Sequence, residues 1–381
     1  MIKFDSRTQI IISEDLPNDV LSVILEEKIK NVGLIIDKNL AGNKNILELI
    51  EILGTKVDTV SKNIDISEPT TNMVDENSSM FKKENIDLFI GIGGGSTIDL
   101  TKAISTMVVN PGSVEEYHGT NKEIKTSVKK MMIPTTAGTG SEVTPGAVLL
   151  NKTKNFKRGL SSKCMVPDYA VLNATLTVDM PERVAASTGM DALGHAIESY
   201  TAKNANDITR MYSKEAFKLV FNNLMKVFDN KNDLTARRNI QLGACLAGYA
   251  IYNSNTGACH ALSYPLGIYH NVPHGIAVAL LLPEVIGLNV KKGCNLYSVL
   301  YDLIENKEEL DNAVEKSNKF CELLKKYSPS KHLKTNLGEY GVDKSNFEFL
   351  AQRGLDLVPA LNNNPVPFDF DDSKNVLQQL I

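Results

Sequence analysis

Two hydrophobic periods alternate along the first 180 residues of the chain. Segments with apolar residues three or four positions apart predict amphipathic helices, and short, almost wholly apolar runs predict buried strands. Helices are predicted at 18–29, 45–54 and 73–85, and strands at 32–37, 55–61 and 86–93. A β-α-β-α order of this kind predicts a parallel, Rossmann-like sheet with helices on both faces.

The pattern changes at Pro181, where strand-like runs nearly vanish. Long segments with helical apolar spacing follow, at 183–200, 211–228, 235–252 and 309–327. A chain of 381 residues is long enough for two domains with separate cores. We therefore predict an α/β N-terminal domain (1–180) and an all-α C-terminal domain (181–381).

Composition and charge narrow the class of protein. The chain is 43% hydrophobic and 23% charged, which is typical of a globular protein, and its net charge of −4 offers no basic field for nucleic acid or an anionic membrane. The longest apolar stretch, 276–288, is too short to span a bilayer. Five scattered cysteines and an N-terminus without a secretory pattern favour a reducing, cytoplasmic location.

A glycine run follows the apolar strand at 86–93. Gly93, Gly94 and Gly95 have no side chains, so backbone N–H groups can approach a ligand closely. Ser96 is expected to cap the following helix, with Asp99 completing a capping box. A helix N-terminus of this kind suits a pyrophosphate. The alternative is a tight strand-to-helix turn without a ligand.

Two further positions favour a dinucleotide in the same domain. In the loop 134–144, Thr135 and Thr136 supply hydroxyl groups, and Ser141 is expected to cap a helix. Asp37 ends the strand at 32–37, where an acidic side chain binds the ribose hydroxyls of NAD and repels the 2′-phosphate of NADP. An ordinary polar loop and a plain turn aspartate are the alternatives.

Four residues of the C-terminal half suggest a metal site. Asp191 and His195 lie four apart on a predicted helix and so share one face. His260 and His274 bracket a stretch with several Pro and Gly residues, for which we expect a helix, a break and a second helix. One carboxylate and three imidazoles would hold iron(II) or zinc with a coordination position open for catalysis. Ordinary helical histidines are the alternative.

Several motifs in order resemble the iron-containing (group III) alcohol dehydrogenases, whose architecture is related to dehydroquinate synthase. The motifs are GGGSTID at 93–99, PTTAGTGSEVT at 134–144, VPDYAVL at 166–172, TGMDALGHAIESY at 188–200 and PHG at 273–275. The resemblance covers nearly the whole chain. It implies a dinucleotide-binding α/β domain, a helical metal-binding domain, an active site in the cleft between them, and a homodimer paired through the sheet edge.

The resemblance also assigns roles to individual residues. The pyrophosphate of NAD or NADP would be bound by Gly93, Gly94, Gly95 and Ser96, and the cofactor site would be lined by Asp99, Thr135 and Thr136. Lys157 would lie near the nicotinamide ribose, and Asp37 would favour NAD over NADP. The metal would be bound by Asp191, His195, His260 and His274.

The chain departs from the family pattern where many members have a second histidine beside the nicotinamide. Tyr264 occupies that position, so Tyr264 or His270 is the candidate for moving the proton. The segment HALSYPL resembles subfamilies that act on anionic substrates, such as phosphonoacetaldehyde reductases and 3-deoxy-octulosonate 8-oxidising enzymes. The usual Asp-Pro after VPDYAVL is Asn173-Ala174, and Asn364-Pro365 lacks the arginine that often follows.

The expected activity is a metal-dependent, NAD(P)-linked hydride transfer that interconverts a primary alcohol and its aldehyde, with an anionic substrate as the alternative. A dehydroquinate synthase-like lyase would need a cluster of phosphate-binding cations, and Arg158, Lys163 and Arg183 are sparse candidates. A nucleotide-binding sensor without activity is the third alternative, and the four intact candidate ligands argue against it.

Overall fold

The computed structural model describes residues 3–66, 68–120, 122–153, 156–327 and 336–381. The chain divides into two compact units. The sheet unit comprises Ser6–Thr136 and Gly140–Met180, and the helical unit comprises Met1–Asp5, Ala137–Thr139 and Pro181–Ile381. The division into folding domains 1–180 and 181–381 stays a prediction. Two short segments of the first half, Met1–Asp5 and Ala137–Thr139, belong by their contacts to the helical unit.

A parallel sheet of six strands forms the centre of the sheet unit, in the order β1-β8-β5-β4-β2-β3. Its strands are β1 (Gln9–Ile12), β2 (Asn31–Asp37), β3 (Asp58–Ile64), β4 (Leu88–Gly93), β5 (Lys129–Pro134) and β8 (Tyr169–Leu172). The remaining two, β6 (Gly146–Asn151) and β7 (Phe156–Ser161), pair as an antiparallel hairpin. The predicted parallel sheet is confirmed.

Helices cover both faces of this sheet, as predicted. They are α1 (Leu16–Glu26), α2 (Lys44–Gly54), α3 (Thr71–Phe81) and α4 (Gly95–Met107). Side chains alternate along a strand, so Leu34 and Ile36 of β2 pack with α1 and α2, while Ile35 packs with α3 and α4. The inner strands β2, β4, β5 and β8 are therefore buried on both sides, which explains the continuous apolar runs in the sequence.

The described part of the helical unit contains helices and no strand, as predicted for the second half of the chain. The helices are α5 (Glu182–Thr201), α6 (Asp207–Leu224), α7 (Lys226–Asp229), α8 (Leu234–Ser254), α9 (Ala258–His270), α10 (His274–Lys291), α11 (Tyr297–Tyr301), α12 (Ala313–Lys326), α13 (Phe347–Gly354), α14 (Val358–Asn363) and α15 (Phe370–Gln378). Helix α5 packs against α6, α8 and α10 and so lies at the centre of this unit.

Helix α10 is long and apolar enough to cross a membrane by length and composition, the one such helix among the described residues. In this fold 61% of it is buried inside the protein. Leu281, Leu282 and Val285 lie in the main core of the helical unit. The apolar character of α10 is accounted for by its position in that core.

A fully buried lysine ties α4 to the chain that follows β5. Lys102 Nζ donates to the carbonyl oxygens of Ser141 (3.0 Å), Thr144 (3.3 Å) and Gly146, and it lies 3.1 Å from Asp99 Oδ1. Burial lowers the pKa of Lys102, and the Asp99 carboxylate opposes that change. The ammonium group therefore needs all four partners to be tolerated inside the unit.

We expect Lys102→Met to destabilise the protein by about 3–5 kcal/mol, because it leaves the carbonyl oxygens and Asp99 without their cation. The matched control is Lys129→Met, which removes an exposed pair with Glu27 and should change stability by about 1 kcal/mol or less. Urea unfolding followed by circular dichroism measures both. Equal losses in the two variants would contradict the role given to Lys102.

Candidate metal centre and nucleotide-binding edge

One face of α5 carries three buried acid and imidazole side chains. Asp191, His195 and Glu198 are spaced four and three residues apart, so they project from the same stripe of the helix. Each is at most 6% exposed. Polar groups buried this deeply require partners from other helices.

Two of those partners, His260 and His274, come from the first turns of α9 and α10. Helix α9 ends where Asn271 takes the left-handed conformation (φ 53°), and α10 begins at His274, directly after Pro273. The predicted helix, break and second helix are confirmed, although Pro265 lies inside α9 and does not end it. The break lets two imidazoles from one short stretch point at α5.

The three histidines converge on one carboxylate oxygen. Asp191 Oδ1 lies 3.9 Å from His195 Nε2, 3.4 Å from His260 Nε2 and 3.4 Å from His274 Nε2. The rings of His195 and His260 stack at 4.5 Å. Asp191 Oδ1 and His260 Nε2 are buried and make no hydrogen bond within the described structure. Two orphaned polar atoms that face each other mark a place for a cation.

Each imidazole is held by its other ring nitrogen. The Nδ1 contacts are His195 to the Gly138 carbonyl (3.3 Å), His260 to Glu198 Oε2 (2.5 Å) and His274 to Ser263 Oγ (3.3 Å). Ser263 donates its own proton to the His260 carbonyl at 2.8 Å, so its oxygen accepts from His274. All three Nδ1 atoms therefore act as donors, which turns the Nε2 atoms toward Asp191.

The charges of the cluster agree with this arrangement. Burial alone raises the pKa of Asp191, but the three imidazoles outweigh it and hold that pKa well below its usual range. Burial lowers the pKa of His195. Burial also acts to lower the pKa of His260, but Glu198 and Asp191 outweigh it and raise it to about 10. Asp191 is therefore an anion at neutral pH, as a metal ligand must be, and a metal bound at His260 would displace the proton that the raised pKa keeps on that ring.

The donor set fits a divalent transition metal. Asp191, His195 and His260 each offer a ligand atom, all within 4.8 Å of one another, and His274 adds its Nε2 atom at 3.4 Å from Asp191. Nitrogen and carboxylate donors with ordered outer partners suit zinc or iron(II). These four residues could hold such an ion.

The sheet unit has its own ligand-binding feature, at the carboxyl edge of β2, β4 and β5. The strand register pairs Ile36 with Ile92 and Gly93 with Pro134, so Asp37, the glycine run and Thr135 end side by side. The carboxyl edge of a parallel sheet is where such folds bind nucleotides.

The start of α4 differs from the prediction. Gly94 is the N-cap and makes no side-chain cap bond, so the expected capping box of Ser96 and Asp99 is wrong. A Cβ atom at Gly94 would lie 3.3 Å from the Thr136 side chain. The N-cap therefore lies two residues earlier than expected, at a position where an added Cβ atom would be in tight contact with Thr136. A helix N-terminus without a side-chain cap bond suits an anionic ligand.

Asp99 has a structural role in the sheet unit. Its carboxylate accepts from Ser141 Oγ and from the Val148 backbone N–H (2.8 Å), besides pairing with Lys102. Ser141 begins a short 3-10 helix behind Gly140, so the expectation that it caps a helix is also wrong. The place of Asp99 in a cofactor site stays a prediction.

The other predicted cofactor residues also have protein partners. Asp37 Oδ1 accepts from the backbone N–H of Asn39 at 2.9 Å and caps a short 3-10 helix. Lys157 Nζ lies 2.5 Å from Glu68 Oε1. Both contacts involve partly exposed side chains, and a nucleotide can compete for such groups. Their roles remain predictions.

The two candidates for moving the proton lie at different places on α9. Tyr264 is one helical turn after His260, and its ring lies 5.9 Å from that of His274. His270 is the last residue of α9, ten positions after His260. Tyr264 is thus beside the imidazole cluster, whereas His270 lies at the opposite end of α9 from His260.

Glu198, Ser263 and the Gly138 carbonyl hold the imidazoles but were not among the predicted site residues. A pattern for Glu198 was available, since an acidic residue three positions after His195 falls on the stripe already occupied by Asp191. Ser263 and the Gly138 carbonyl gave no pattern, because their relation to the histidines is set by packing alone.

We expect Gly275→Ala to weaken zinc binding and to cost about 1–3 kcal/mol of stability. A Cβ atom at Gly275 would lie 2.2 Å from the Ser187 carbonyl oxygen of α5, so α10 and the adjoining His274 would have to move. The control is Gly267→Ala in α9, whose new Cβ would meet the Val272 carbonyl oxygen at an ordinary 3.5 Å. Chelator competition and urea unfolding test both, and the assignment fails if the two variants behave alike.

Comparison with known proteins gives a consistent result. The model described as "Iron-containing alcohol dehydrogenase" matches residues 8–174, and that described as "Fe-containing alcohol dehydrogenase family, C-terminal" matches residues 185–381. Sulfoacetaldehyde reductase of Bilophila wadsworthia is 33% identical over 304 residues, with 78% of each chain covered.

Solved structures extend this similarity over the whole fold. A 1,3-propanediol oxidoreductase superposes with a TM-score of 0.93 at 25% identity, covering 100% of both chains. The sulfoacetaldehyde reductase of Bifidobacterium kashiwanohense, solved in complex with NAD+, gives 0.89 at 25% identity and covers 100% of this chain and 98% of that one. The resemblance drawn from the sequence motifs is confirmed. The chain is an alcohol–aldehyde oxidoreductase and belongs to the iron-containing alcohol dehydrogenase family.

Proposed function

We propose that the chain catalyses reversible hydride transfer between a primary alcohol and NAD, with a divalent ion held by Asp191, His195, His260 and His274. The observation that carries the proposal is the convergence of three imidazole Nε2 atoms on Asp191 Oδ1 at 3.4–3.9 Å. Iron(II) and zinc both suit this donor set. When bound, the ion supplies Lewis acidity and the nicotinamide accepts or donates the hydride.

The protein's own contribution at the metal centre is orientation. The Nδ1 hydrogen bonds of His195, His260 and His274 keep each ring from rotating, so the donors need no reorganisation when substrate arrives. Burial of Asp191 and His260 limits the access of water to the cluster. The fixed donors and the limited access of water would both favour polarisation of the substrate oxygen over its hydration.

The sheet unit would hold the cofactor. We propose that the pyrophosphate is bound by the backbone of Gly93, Gly94 and Gly95 together with Ser96. Thr135 and Thr136, at the end of the neighbouring strand, would lie beside it, and Asp99 would fix their loop. The side-by-side ending of β2, β4 and β5 supports this arrangement. Asp37 at the end of β2 favours NAD over NADP, because its carboxylate would repel a 2′-phosphate. Lys157 on the β6–β7 hairpin would lie near the nicotinamide ribose.

We assign proton transfer to the Tyr264 hydroxyl. Its ring lies beside His274, one turn along α9 from His260, whereas His270 lies at the C-terminal end of that helix. A phenol in this position can give a proton to the substrate oxygen during aldehyde reduction and take it back during alcohol oxidation.

The proposed substrate is a short aldehyde that carries an anionic group, with short aliphatic alcohols as the second candidate. Tyr264 in place of the usual histidine supports the first, as does the relative that acts on sulfoacetaldehyde. Phosphonoacetaldehyde and the C8 hydroxyl of 3-deoxy-octulosonate belong to the same class of charged substrates. The relative named 1,3-propanediol oxidoreductase supports the second candidate.

The proposal also includes a homodimer in the cytoplasm. All five cysteines are free thiols, which suits a reducing compartment. Strands β1 and β3 are the two edges of the parallel sheet, and edge strands provide unpaired backbone groups for association with a second copy.

We expect removal of the metal to lower the turnover of every substrate by about 100-fold or more, with recovery on addition of iron(II) or zinc. The assay follows NADH absorbance with butanol, 1,3-propanediol, phosphonoacetaldehyde, sulfoacetaldehyde and 3-deoxy-octulosonate. Asp191→Asn should reproduce the loss, and Asp302→Asn, an exposed carboxylate paired with Lys316, should not. Full-rate aldehyde reduction by demetallated protein would overturn the proposal.

The same assay separates the lyase alternative. A dehydrogenase accumulates NADH in proportion to the alcohol consumed, whereas a dehydroquinate synthase-like enzyme regenerates its cofactor within each turnover. Product formation without net NADH would favour the lyase.

We expect Tyr264→Phe to lower kcat by about 100-fold, because the ring stays and the proton donor is lost. His270→Asn should keep kcat within about twofold. Metal content, measured in both variants, should equal that of the wild type. A loss of rate in His270→Asn with full activity in Tyr264→Phe would reverse the assignment.

A further inference from the structure

We infer that Glu198 is the positioning residue of the metal centre: its carboxylate fixes both the His260 imidazole and the first turn of α9, and so sets the affinity for the divalent ion. The inference rests on the proposed function, because it assumes that His260 is a ligand. Glu198 is not itself proposed as a ligand.

The first contact fixes the backbone of α9. The N-cap of α9 is Gly257, which has no side chain to cap the helix. Glu198 Oε1 instead accepts the N–H of Cys259 at 2.7 Å. A Cβ atom at Gly257 would lie 2.9 Å from that same oxygen. A carboxylate from α5 therefore replaces the missing cap, in the position that the helix dipole favours.

The second contact fixes the side chain of the ligand. Glu198 Oε2 accepts from His260 Nδ1 at 2.5 Å, while Oε1 is occupied by Cys259. Because the two oxygens have different partners one residue apart, the carboxylate cannot rotate without losing one of them. The imidazole is thereby held with Nε2 toward Asp191, and its basicity as a ligand increases.

Burying the Glu198 carboxylate costs free energy, which points to a role for it in the site. Glu198 is 6% exposed, and its recorded ion pair within the described structure is with His260, not with a lysine or arginine. Burial alone raises the pKa of Glu198, yet the His260 imidazole and the backbone donors hold it below its usual value. An apolar side chain of similar volume often stabilises a fold as well as a buried ion does, so packing alone does not explain a carboxylate here.

The segment that precedes α9 is held by a second side chain, Asn363. Asn363 Nδ2 donates to the carbonyl oxygens of Ser254 (2.7 Å) and Thr256 (2.8 Å), directly before Gly257. This clamp keeps the start of α9 in place, so that Glu198 acts on a fixed target. Asn363, which directly precedes the Asn364-Pro365 pair, thus supports the same helix.

The test compares metal affinity among variants at fixed pH. Glu198→Gln keeps the volume but has only one acceptor oxygen, so either His260 or Cys259 loses its partner. We expect the Kd for Zn²⁺, measured by chelator competition, to rise about 10- to 100-fold. The Co²⁺-loaded protein should show an altered visible absorption, because the ligand field depends on the position of His260. The matched control is Glu215→Gln, an exposed residue of α6 paired with Lys218, which should match the wild type.

Two further variants make the outcomes distinct. Glu198→Asp keeps the charge but is shorter by one methylene, so it cannot reach both partners, and its Kd should also rise. His260→Asn removes the ligand itself. If His260→Asn loses Zn²⁺ while folded Glu198→Gln and Glu198→Asp keep a wild-type Kd and Co²⁺ spectrum, the role of Glu198 is wrong and the metal site stands. If His260→Asn binds Zn²⁺ like the wild type, the proposed metal site itself is wrong.

Discussion

A buried carboxylate oxygen without a hydrogen bond sets the chemistry of this protein. Asp191 Oδ1 faces the Nε2 atoms of three histidines, and His260 Nε2 is equally without a hydrogen-bond partner. Leaving such atoms unpaired in a protein interior costs free energy that packing alone does not recover. A divalent cation at this point would satisfy both atoms at once. The surrounding helices then form a frame that holds the donor residues in place and leaves Asp191 Oδ1 and the histidine Nε2 atoms facing one another.

That frame uses each part of the helical unit in a specific way. Helix α5 presents Asp191, His195 and Glu198 on one stripe, and the first turns of α9 and α10 supply two more imidazoles. Gly275 allows α10 to approach the α5 backbone closely enough for its first residue, His274, to reach the cluster. The outer ring nitrogens have partners, and so the direction of every inner nitrogen is fixed.

The candidate binding site of the sheet unit is formed mainly by backbone atoms at the start of α4. Gly94 is the N-cap of α4 and makes no side-chain cap bond, and a helix N-terminus of this kind suits an anion. The expected capping box of Ser96 and Asp99 would have placed a side-chain cap at this N-terminus. Asp99 is instead held by Lys102, Ser141 and Val148, and it stabilises the loop beside the glycine run.

The sequence alone determined the elements, the parallel sheet, the helical second half and the candidate metal ligands, because hydrophobic period and i, i+4 spacing are local properties. The motif resemblance supplied the family. The strand order β1-β8-β5-β4-β2-β3, the start of α4 at Gly95 and the place of Tyr264 beside His274 were decided by tertiary packing. So was the partnership of Glu198 with His260, which lies 62 positions away in the chain. No local period links residues so far apart, and only the packing of α9 against α5 brings that carboxylate to the imidazole.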